Sequence, residues 1–181
     1  MQTAIDKHEV GSWPLFYDAQ GGPICQNPSR IVPSTTVIVY RPDGGYMQTI
    51  WWVLCHKRLD NGMWGFVGGA QEVGESLREC AVRETYEETG LYVKIERMVC
   101  IDSDPSCGSI MQYPDGNIIQ YTNVTFMARC PESPNDALHL NTTESSALAW
   151  YPTSSLPQPF STLHAWRLQQ ALAINQHPPV R

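Results

Sequence analysis

Clustered and alternating apolar residues along the chain predict a series of β-strands. A β-branched run at 35–40 and an apolar run at 49–54 flank the turn residues Pro42 to Gly45, and this pattern predicts a hairpin. Apolar residues spaced among polar ones predict a longer strand with an irregularity near Glu96 and Arg97. The strands predicted in this way cover residues 35–40, 49–54, 91–101, 118–128 and 147–151.

Two helices are predicted from capping residues and from helical spacing. Ser76 begins the first helix because its hydroxyl can cap the free amides, Glu79 completes a capping box, and Gly90 ends the helix after residue 89. The second helix is predicted over 161–174, with apolar residues on more than one side. One apolar stripe comprises Leu163, Trp166 and Ile174, and the other comprises Ala165, Leu168 and Leu172.

The order of these elements predicts an α+β fold in which helices cover a mixed β-sheet. A chain of 181 residues is long enough for one domain with a sizeable core. We expect that domain to cover residues 34–176, with an N-terminal extension at 1–33 and a tail at 177–181.

Two segments outside the regular elements carry their own expectations. The extension contains Trp13, Phe16 and Tyr17, which we expect to pack on the domain; the alternative is a subunit contact, as in a homodimer. The polar segment 102–117 is predicted to be a long loop ending in a turn. Long loops inside compact domains are more often functional than not.

Three carboxylates are crowded on the first predicted helix. Glu84 lies three and four residues before Glu87 and Glu88, a spacing at which like charges repel, and the helix C-terminus nearby disfavours anions. A divalent cation resolves this conflict, and carboxylate oxygens suit the hard ions Mg²⁺, Mn²⁺ or Ca²⁺. The paired glycines Gly68 and Gly69 allow a loop backbone to pass close to a ligand. The alternative is a solvated acidic helix face.

The acidic helix and the paired glycines together carry a resemblance to a known family. The pattern Gly69-x5-Glu75-x7-Arg83-Glu84-x-x-Glu87-Glu88-x-Gly90-Leu91 resembles the Nudix box of the Nudix hydrolases. Two positions depart from the usual pattern: Thr85 replaces an aliphatic residue, and Val67 replaces the proline that often precedes the glycines. Neither departure removes a ligand. The resemblance implies the Nudix-type α/β/α sandwich with a mixed β-sheet.

The resemblance also implies a metal site. Glu84 and Glu88 would be the principal ligands, Glu87 a further or water-mediated ligand, and the carbonyl of Gly68 another oxygen on the metal. The expected cofactor is Mg²⁺, with Mn²⁺ as a substitute. Bridging metals neutralise two bound phosphates and lower the pKa of the attacking water.

Arg83, Glu75 and a general base complete the site that the resemblance implies. Arg83 would orient a carboxylate through its fork of donors, and Glu75 would support the junction of loop and helix. The base that activates water would be Glu84 or Glu87, and otherwise Glu144 in a later loop. For Glu144 alone, a plain surface carboxylate is an equal alternative.

Residues outside the box are candidates for substrate binding. Trp64, Tyr113 and Tyr121 could stack on a base, and Arg58 could bind a phosphate; a structural role is the alternative for each. His56, His139 and His164 show no paired spacing typical of metal ligands and are expected to be satisfied locally.

Charge and cysteine content narrow the partners and the compartment. A net charge of −6 argues against nucleic acid as the main partner, because such binders usually carry a basic patch. The six cysteines contain no Cys-x-x-Cys pair and suggest neither a disulfide framework nor a zinc site, which fits a reducing cytoplasm. The sequence shows no apolar signal region and no run of membrane-spanning length.

We therefore expect a metal-dependent pyrophosphohydrolase that acts on a small-molecule nucleotide. Its substrate would be a nucleoside diphosphate linked to another moiety, such as a nucleoside triphosphate or an ADP-ribose-like compound, cleaved by attack of water on phosphorus. Two alternatives stay open: a non-catalytic nucleotide-sensing module with the same fold, and an RNA-end pyrophosphohydrolase.

Overall fold

The computed structural model describes residues 16–17, 23–24, 28–42, 51–105, 108–113, 115–130 and 138–173. Two helices and nine strands are described in these parts of the chain. The strands are β1 (Phe16–Tyr17), β2 (Pro23–Ile24), β3 (Arg30–Pro42), β4 (Trp51–Arg58), β5 (Trp64–Gly65), β6 (Lys94–Asp102), β7 (Ile110–Gln112), β8 (Ile118–Arg129) and β9 (Ser145–Pro152). The helices are α1 (Leu77–Thr89) and α2 (Thr162–Leu172).

Seven of the strands form one mixed sheet. Its path runs β5-β4-β3-β8-β6, with β7 beside β8 and β9 beside β4. The central pair β3–β8 is parallel, with Val37 opposite Phe126, whereas the other pairs are antiparallel. The predicted hairpin is confirmed by the pairing of Tyr40 with Val53. The short strands β1 and β2 pair only with each other.

The sheet is covered on both faces, which confirms the predicted α/β/α sandwich. On β3, Val37 and Val39 point to the core that contains Ala81 of α1. Ile38 points to the opposite core, which contains Leu168 of α2. Alternate residues of a central strand therefore feed two separate cores, as expected for a strand that is buried on both faces.

Helix α1 begins and ends where its capping residues predict. The Ser76 hydroxyl accepts from the Glu79 amide, the Glu79 carboxylate accepts from the Ser76 amide, and Gly90 takes a left-handed conformation with φ 74°. Thr85, one of the departures from the usual box, is fully buried, and its hydroxyl donates to the Ala81 carbonyl at 2.7 Å. The helix thus accommodates a polar residue inside the core without leaving its hydroxyl unpaired.

Several strand boundaries differ from the prediction. Strand β3 begins at Arg30, so the sheet includes residues 30–33 of the segment predicted as an extension. Strand β7 lies inside the predicted loop 102–117, because its three residues are too few to show a periodic pattern. The register shifts of β6 after Ile95 and after Met98 match the predicted irregularity. Trp13 and residues 177–181 lie outside the described residues.

The prediction for the second helix was wrong in one respect. Leu172, assigned to an apolar stripe, is 40% exposed, whereas Arg167 is 4% exposed. A charged residue is not expected in an apolar stripe of a helix. Arg167 is nevertheless buried, because the Asp102 carboxylate of β6 pairs with its guanidinium at 2.9 Å. Ile174 lies outside the described residues.

The four described cysteines, Cys55, Cys80, Cys100 and Cys130, are free and buried, as expected for small hydrophobic residues. Neither described helix has the length and apolar character that a membrane span requires.

Candidate functional site

The loop before α1 is fastened to the central strand of the sheet. The amides of Thr35 and Val37 donate to the carbonyls of Gly69 and Val67 at 2.9 and 2.8 Å. Gly68 lies between them with φ 146°, and a Cβ atom there would stand 2.1 Å from the Thr35 carbonyl oxygen. Only glycine can occupy this position, because both the backbone angle and the space exclude a side chain.

The same loop lies directly on the acidic face of α1. A Cβ atom on Gly69 would stand 2.4 Å from the Glu84 carboxylate. The amide of Gly68 donates to Oε1 of Glu88 at 3.3 Å. The paired glycines therefore allow two carboxylates of the helix to approach the loop backbone.

Glu84 and Glu88 are enclosed by this arrangement. Their side chains are 15% and 3% exposed. Burial raises the pKa of Glu84, and the neighbouring carboxylates of Glu88 and Glu87 act in the same direction against the hydrogen bond from Arg83. Oε2 of Glu88 is buried without a hydrogen-bond partner. A buried carboxylate oxygen without a donor is costly unless another positive group compensates it.

Arg83 binds the other carboxylates of this face. Its guanidinium donates to both oxygens of Glu75 at 3.0 and 2.7 Å and to Glu84 at 2.8 Å. Nη1 also reaches Glu87 at 3.1 Å, although the Glu87 side chain is 53% exposed. The bidentate bond lowers the pKa of Glu75 to about 2. Arg83 thus carries three ion pairs, and Glu88 is not one of them.

These residues fit a hard divalent cation only in part. Within the described parts of the chain, no three His, Cys, Asp or Glu side chains lie close enough together to hold a metal ion. Glu84 and Glu88 offer oxygen atoms as ligands, and the Gly68 carbonyl accepts no backbone hydrogen bond among those recorded for the described residues. One or two carboxylates suffice for Mg²⁺ where substrate phosphates and waters complete its shell. Glu87 stands apart from this pair at the exposed edge.

A cavity of about 760 Å³ opens beside this loop. Gly68, Gly69 and Glu84 line one part of its wall. The same cavity is also lined by the predicted residues Arg58, Trp64, Tyr113, Tyr121 and Glu144. The other predicted residues, Arg83, Glu87 and Glu88, are not among those that line it.

The aromatic candidates in the cavity wall differ in the contacts that hold their side chains in place. Trp64 is 9% exposed and packs edge-on against Tyr151, with ring centroids 5.2 Å apart, so most of its surface serves the core. The hydroxyls of Tyr113 and Tyr121 are 2.5 Å apart, and burial raises the pKa of Tyr121. The tyrosine pair is therefore fixed as a unit at the wall.

Arg58 and Glu144 occupy the rim near the β4–β9 edge. Arg58 donates to both oxygens of Asp60, at 2.9 and 2.5 Å, and this bond raises the pKa of Arg58 and lowers that of Asp60. Glu144 is exposed in the turn before β9, and its carbonyl accepts from the Leu59 amide at 2.9 Å. The structure thus holds the Glu144 backbone in place and leaves its carboxylate at the surface of the cavity.

One residue near the site was missed by the sequence analysis. His56 of β4 is 4% exposed, and its Nδ1 lies 2.8 Å from Ser145 Oγ and 3.1 Å from Oε2 of Glu88. The available signal was the alternation of β4, because His56 lies two residues after the core residue Leu54 and so shares its face. The spacing of histidines alone could not reveal a contact with a helix 32 residues later.

The cavity also has a polar wall that the sequence analysis did not predict. Arg167 pairs with both oxygens of Asp102 and donates to Thr36 at 2.8 Å, and Asn123 donates to the same hydroxyl at 3.1 Å. These residues belong to α2, β6, β3 and β8, so only the folded chain brings them together.

Comparison with known proteins agrees with this geometry. The sequence model of the family described as "NUDIX domain" matches residues 30–171. A MutT-like protein of Streptomyces ambofaciens is 26% identical over 158 residues, which cover 87% of each chain. The NAD-capped RNA hydrolase NudC of Vibrio parahaemolyticus is 49% identical over 39 residues, which cover 22% of this chain and 15% of that protein.

A solved structure supports the same fold. An ADP-ribose pyrophosphatase from Streptococcus suis superposes with a TM-score of 0.57 at 19% identity, covering 83% of this chain and 98% of that one. The family match extends from the first residues of β3 almost to the end of α2 and includes the loop and helix described above. The chain therefore belongs to the NUDIX domain family and is a Nudix hydrolase.

Proposed function

We propose that the chain is a metal-dependent pyrophosphohydrolase that cleaves a nucleoside diphosphate linked to another moiety, by attack of water on phosphorus. The observation that carries the proposal is the enclosed pair Glu84 and Glu88, which are packed on the glycine loop beside a cavity with one carboxylate oxygen left without a hydrogen-bond partner. A helix designed only for stability would not bury two neighbouring carboxylates in this way.

Glu84, Glu88 and the carbonyl of Gly68 would hold the metal, with Mg²⁺ preferred and Mn²⁺ as a substitute. When bound, the metal supplies positive charge that offsets the phosphate oxygens and lowers the pKa of a bound water. Arg83 fixes the Glu84 carboxylate by its bond at 2.8 Å, so that this side chain need not be ordered when substrate arrives. Glu87 would contribute through water from its exposed position.

Three carboxylates remain candidates for the base that takes the proton from water. Burial raises the pKa of Glu84, which makes it a better proton acceptor than an ordinary carboxylate. Glu87 is a neighbour on the same helix, and Glu144 reaches the cavity from the turn before β9. The metal-binding helix therefore supplies the first choice, and Glu144 the second.

Substrate selection would depend on the far wall of the cavity. Arg58 would meet a phosphate, and Trp64 with the pair Tyr113 and Tyr121 would contact the base or the group beyond the diphosphate. A free dinucleotide-type substrate agrees with a cavity of about 760 Å³, a size typical of small-molecule sites. We place the enzyme in the cytoplasm, and we retain a homodimer through the aromatic residues of segment 1–33 as a prediction.

A second candidate is hydrolysis at an RNA end. It is favoured by the similarity to NAD-capped RNA hydrolases NudC, which covers 22% of this chain for the Vibrio parahaemolyticus protein and 50% for the Klebsiella pneumoniae protein. The net charge of −6 argues against it, because RNA-binding surfaces are usually basic. A free nucleotide is therefore the first choice.

The proposal is tested by a panel of nucleotides incubated with Mg²⁺ or Mn²⁺, with products identified by mass. The panel contains nucleoside triphosphates, ADP-ribose, NAD and a short NAD-capped RNA. We expect a free nucleotide to be cleaved at its diphosphate, and Glu88→Gln to abolish cleavage. Glu79→Gln on the same helix is the matched control, since glutamine also completes a capping box.

Two outcomes would contradict the proposal. Equal turnover by Glu88→Gln and wild type would show that the acidic face is not the reaction centre. Tight nucleotide binding without any product would favour the non-catalytic sensing module. Thermal unfolding of each variant excludes simple misfolding as the cause of lost activity.

A further inference from the structure

Glu88 has an unusual set of neighbours for a buried carboxylate. The guanidinium of Arg83 forms ion pairs with Glu75, Glu84 and Glu87 but not with Glu88. Glu88 receives only the Gly68 amide at 3.3 Å, on Oε1, and its Oε2 has no partner in hydrogen-bond geometry. Nδ1 of His56 lies 3.1 Å from Oε2. The side chain that can orient the Glu88 carboxylate therefore belongs to β4.

His56 is itself held in a fixed position. It is 4% exposed on β4, where it lies opposite Gly65 of β5 on one side and Leu148 of β9 on the other. Ser145 lies at the start of β9, and its Oγ is 2.8 Å from Nδ1. The Nε2 atom is buried and has no partner. Among the described residues, the polar contacts of the ring are thus on the Nδ1 side, where it meets Ser145 and Glu88.

These contacts decide which ring nitrogen carries the proton. With the proton on Nε2, a buried N–H would have no acceptor, and the Nδ1 lone pair would face the Glu88 carboxylate at 3.1 Å. With the proton on Nδ1, the N–H can donate to Ser145 Oγ, and the positive end of its dipole lies near Oε2 of Glu88. The second arrangement removes a repulsion and an unpaired donor, so it is the stable tautomer.

We propose that His56, held with its Nδ1 proton between Ser145 and Glu88, is a positioning residue that fixes the Glu88 carboxylate for metal binding. The inference rests on the proposed function, because it assigns a task to His56 only if Glu88 is a ligand. Groups that orient a ligand in this way raise metal affinity by restricting the ligand to one conformation. In this role His56 acts through Glu88, although His56 also lines the cavity.

The first test measures the tautomer and needs no variant. Long-range proton–nitrogen NMR of the wild-type protein with ¹⁵N-labelled histidine distinguishes the two neutral forms. We expect the His56 signals of the Nδ1-protonated tautomer. Signals of the Nε2-protonated form would overturn the proposal, whether or not the enzyme is active.

The second test uses two variants that keep different parts of the imidazole. His56→Asn retains a donor near the place of Nδ1, and His56→Gln retains one near Nε2. Binding of Mn²⁺ in the absence of nucleotide, followed by electron paramagnetic resonance, should weaken about tenfold to a hundredfold in His56→Gln. His56→Asn should recover most of that loss. His139→Gln, at an exposed position, is the control.

The outcomes separate this inference from the proposed function. If the wild type binds Mn²⁺ and His56→Gln binds it equally well, the inference fails and the proposed function stands. If His56→Asn is as weak as His56→Gln, the Nδ1 proton is not the group that matters, and the inference also fails. If the wild type neither binds Mn²⁺ nor cleaves any nucleotide, the proposed function fails first. Thermal unfolding shows whether each variant is folded.

Discussion

Arg167 and Arg83 each make a bidentate bond to a carboxylate, as Arg58 does with Asp60, but the surroundings of Arg167 and Arg83 differ. Arg167 is 4% exposed and faces one carboxylate, that of Asp102, with bonds of 3.0 and 2.9 Å. Its remaining donor capacity is directed to Thr36, which also accepts from Asn123. Charge and hydrogen bonds are balanced within this buried network. It joins α2 to three strands of the sheet.

Arg83 has the opposite balance. The Arg83 side chain is 23% exposed and forms ion pairs with Glu75, Glu84 and Glu87. The neighbouring Glu88 forms no ion pair with Arg83. The acidic face therefore carries more negative charge than the protein neutralises. A satisfied network stabilises one structure, whereas an unsatisfied one is ready for a positive ligand. The comparison suggests that the Arg167 network is structural and that the Arg83 network is functional.

The largest expected effect is on the balanced network. Arg167→Met should lower the free energy of unfolding by about 3–5 kcal/mol, because it leaves the Asp102 carboxylate buried without its partner. Urea unfolding followed by circular dichroism measures the change. Arg129→Met, at an exposed position, should have little effect.

The double variant Arg167→Met with Asp102→Leu sharpens this test. It removes both charges and should recover a large part of the loss. A loss below about 1 kcal/mol in Arg167→Met alone would be typical of a surface pair and would contradict the assignment.

The second-largest effect is expected at Glu84, where one substitution should lower activity and raise stability. Glu84→Gln should lower the rate of hydrolysis by about a hundredfold to a thousandfold, the range found when a group that stabilises transition-state charge is removed. The same variant should raise the thermal midpoint at neutral pH. Burial raises the folded-state pKa of Glu84, so ionisation of this group destabilises the fold as the pH rises.

The gain in stability should therefore shrink as the pH falls toward the ordinary carboxyl range, where the wild-type side chain is protonated. Calorimetry at several pH values measures it. Asp102→Asn is the mirror experiment, since it disturbs a satisfied pair and should lower the midpoint. A lower midpoint in both variants at neutral pH would remove the distinction between the two networks.

The smallest effect concerns the pair of Arg83 and Glu75. The folded-state pKa of Glu75 is lowered from 4.5 to about 2, with the Arg83 hydrogen bond as the main cause. A depressed carboxyl stabilises the fold above its unfolded pKa and loses that contribution as the pH falls through its folded pKa. The midpoint difference between wild type and Glu75→Gln should thus be full above pH 4.5 and vanish near pH 2.

At neutral pH the Arg83–Glu75 pair should contribute less than about 1 kcal/mol to the free energy of unfolding. This contribution should decrease with added salt, because water reaches the pair. Glu72→Gln, an exposed neighbour in the same loop, is the control. A difference that grew toward acid pH would contradict the sign of the pKa shift.

Local signals predicted the local parts of this molecule well. The capping box at Ser76 and Glu79, the left-handed Gly90 and the irregular strand β6 are all confirmed. Each depends on residues close together in the chain, so the sequence contains the complete pattern. The short strand β7 was not predicted, because three residues are too few to show a periodic pattern.

The sequence likewise predicted the local features of the candidate site but not its long-range contacts. The acidic helix and the glycine pair were identified from spacing, and in the structure Gly69 lies against the Glu84 carboxylate. The contact of His56 with Glu88 and the burial of Arg167 were not identified. Both join elements far apart in the chain, and neither partner shows its role alone.

The sequence by itself determined where α1 begins and ends, which carboxylates it presents and which family the chain resembles, because spacing along one helix and one loop fixes these features. The tertiary structure decided how those carboxylates differ: Glu88 is enclosed beside His56, Glu84 lies under the loop, and Glu87 remains 53% exposed with Arg83. Burial and long-range pairing set the energy of a charge, and both depend on elements that meet only when the sheet is assembled.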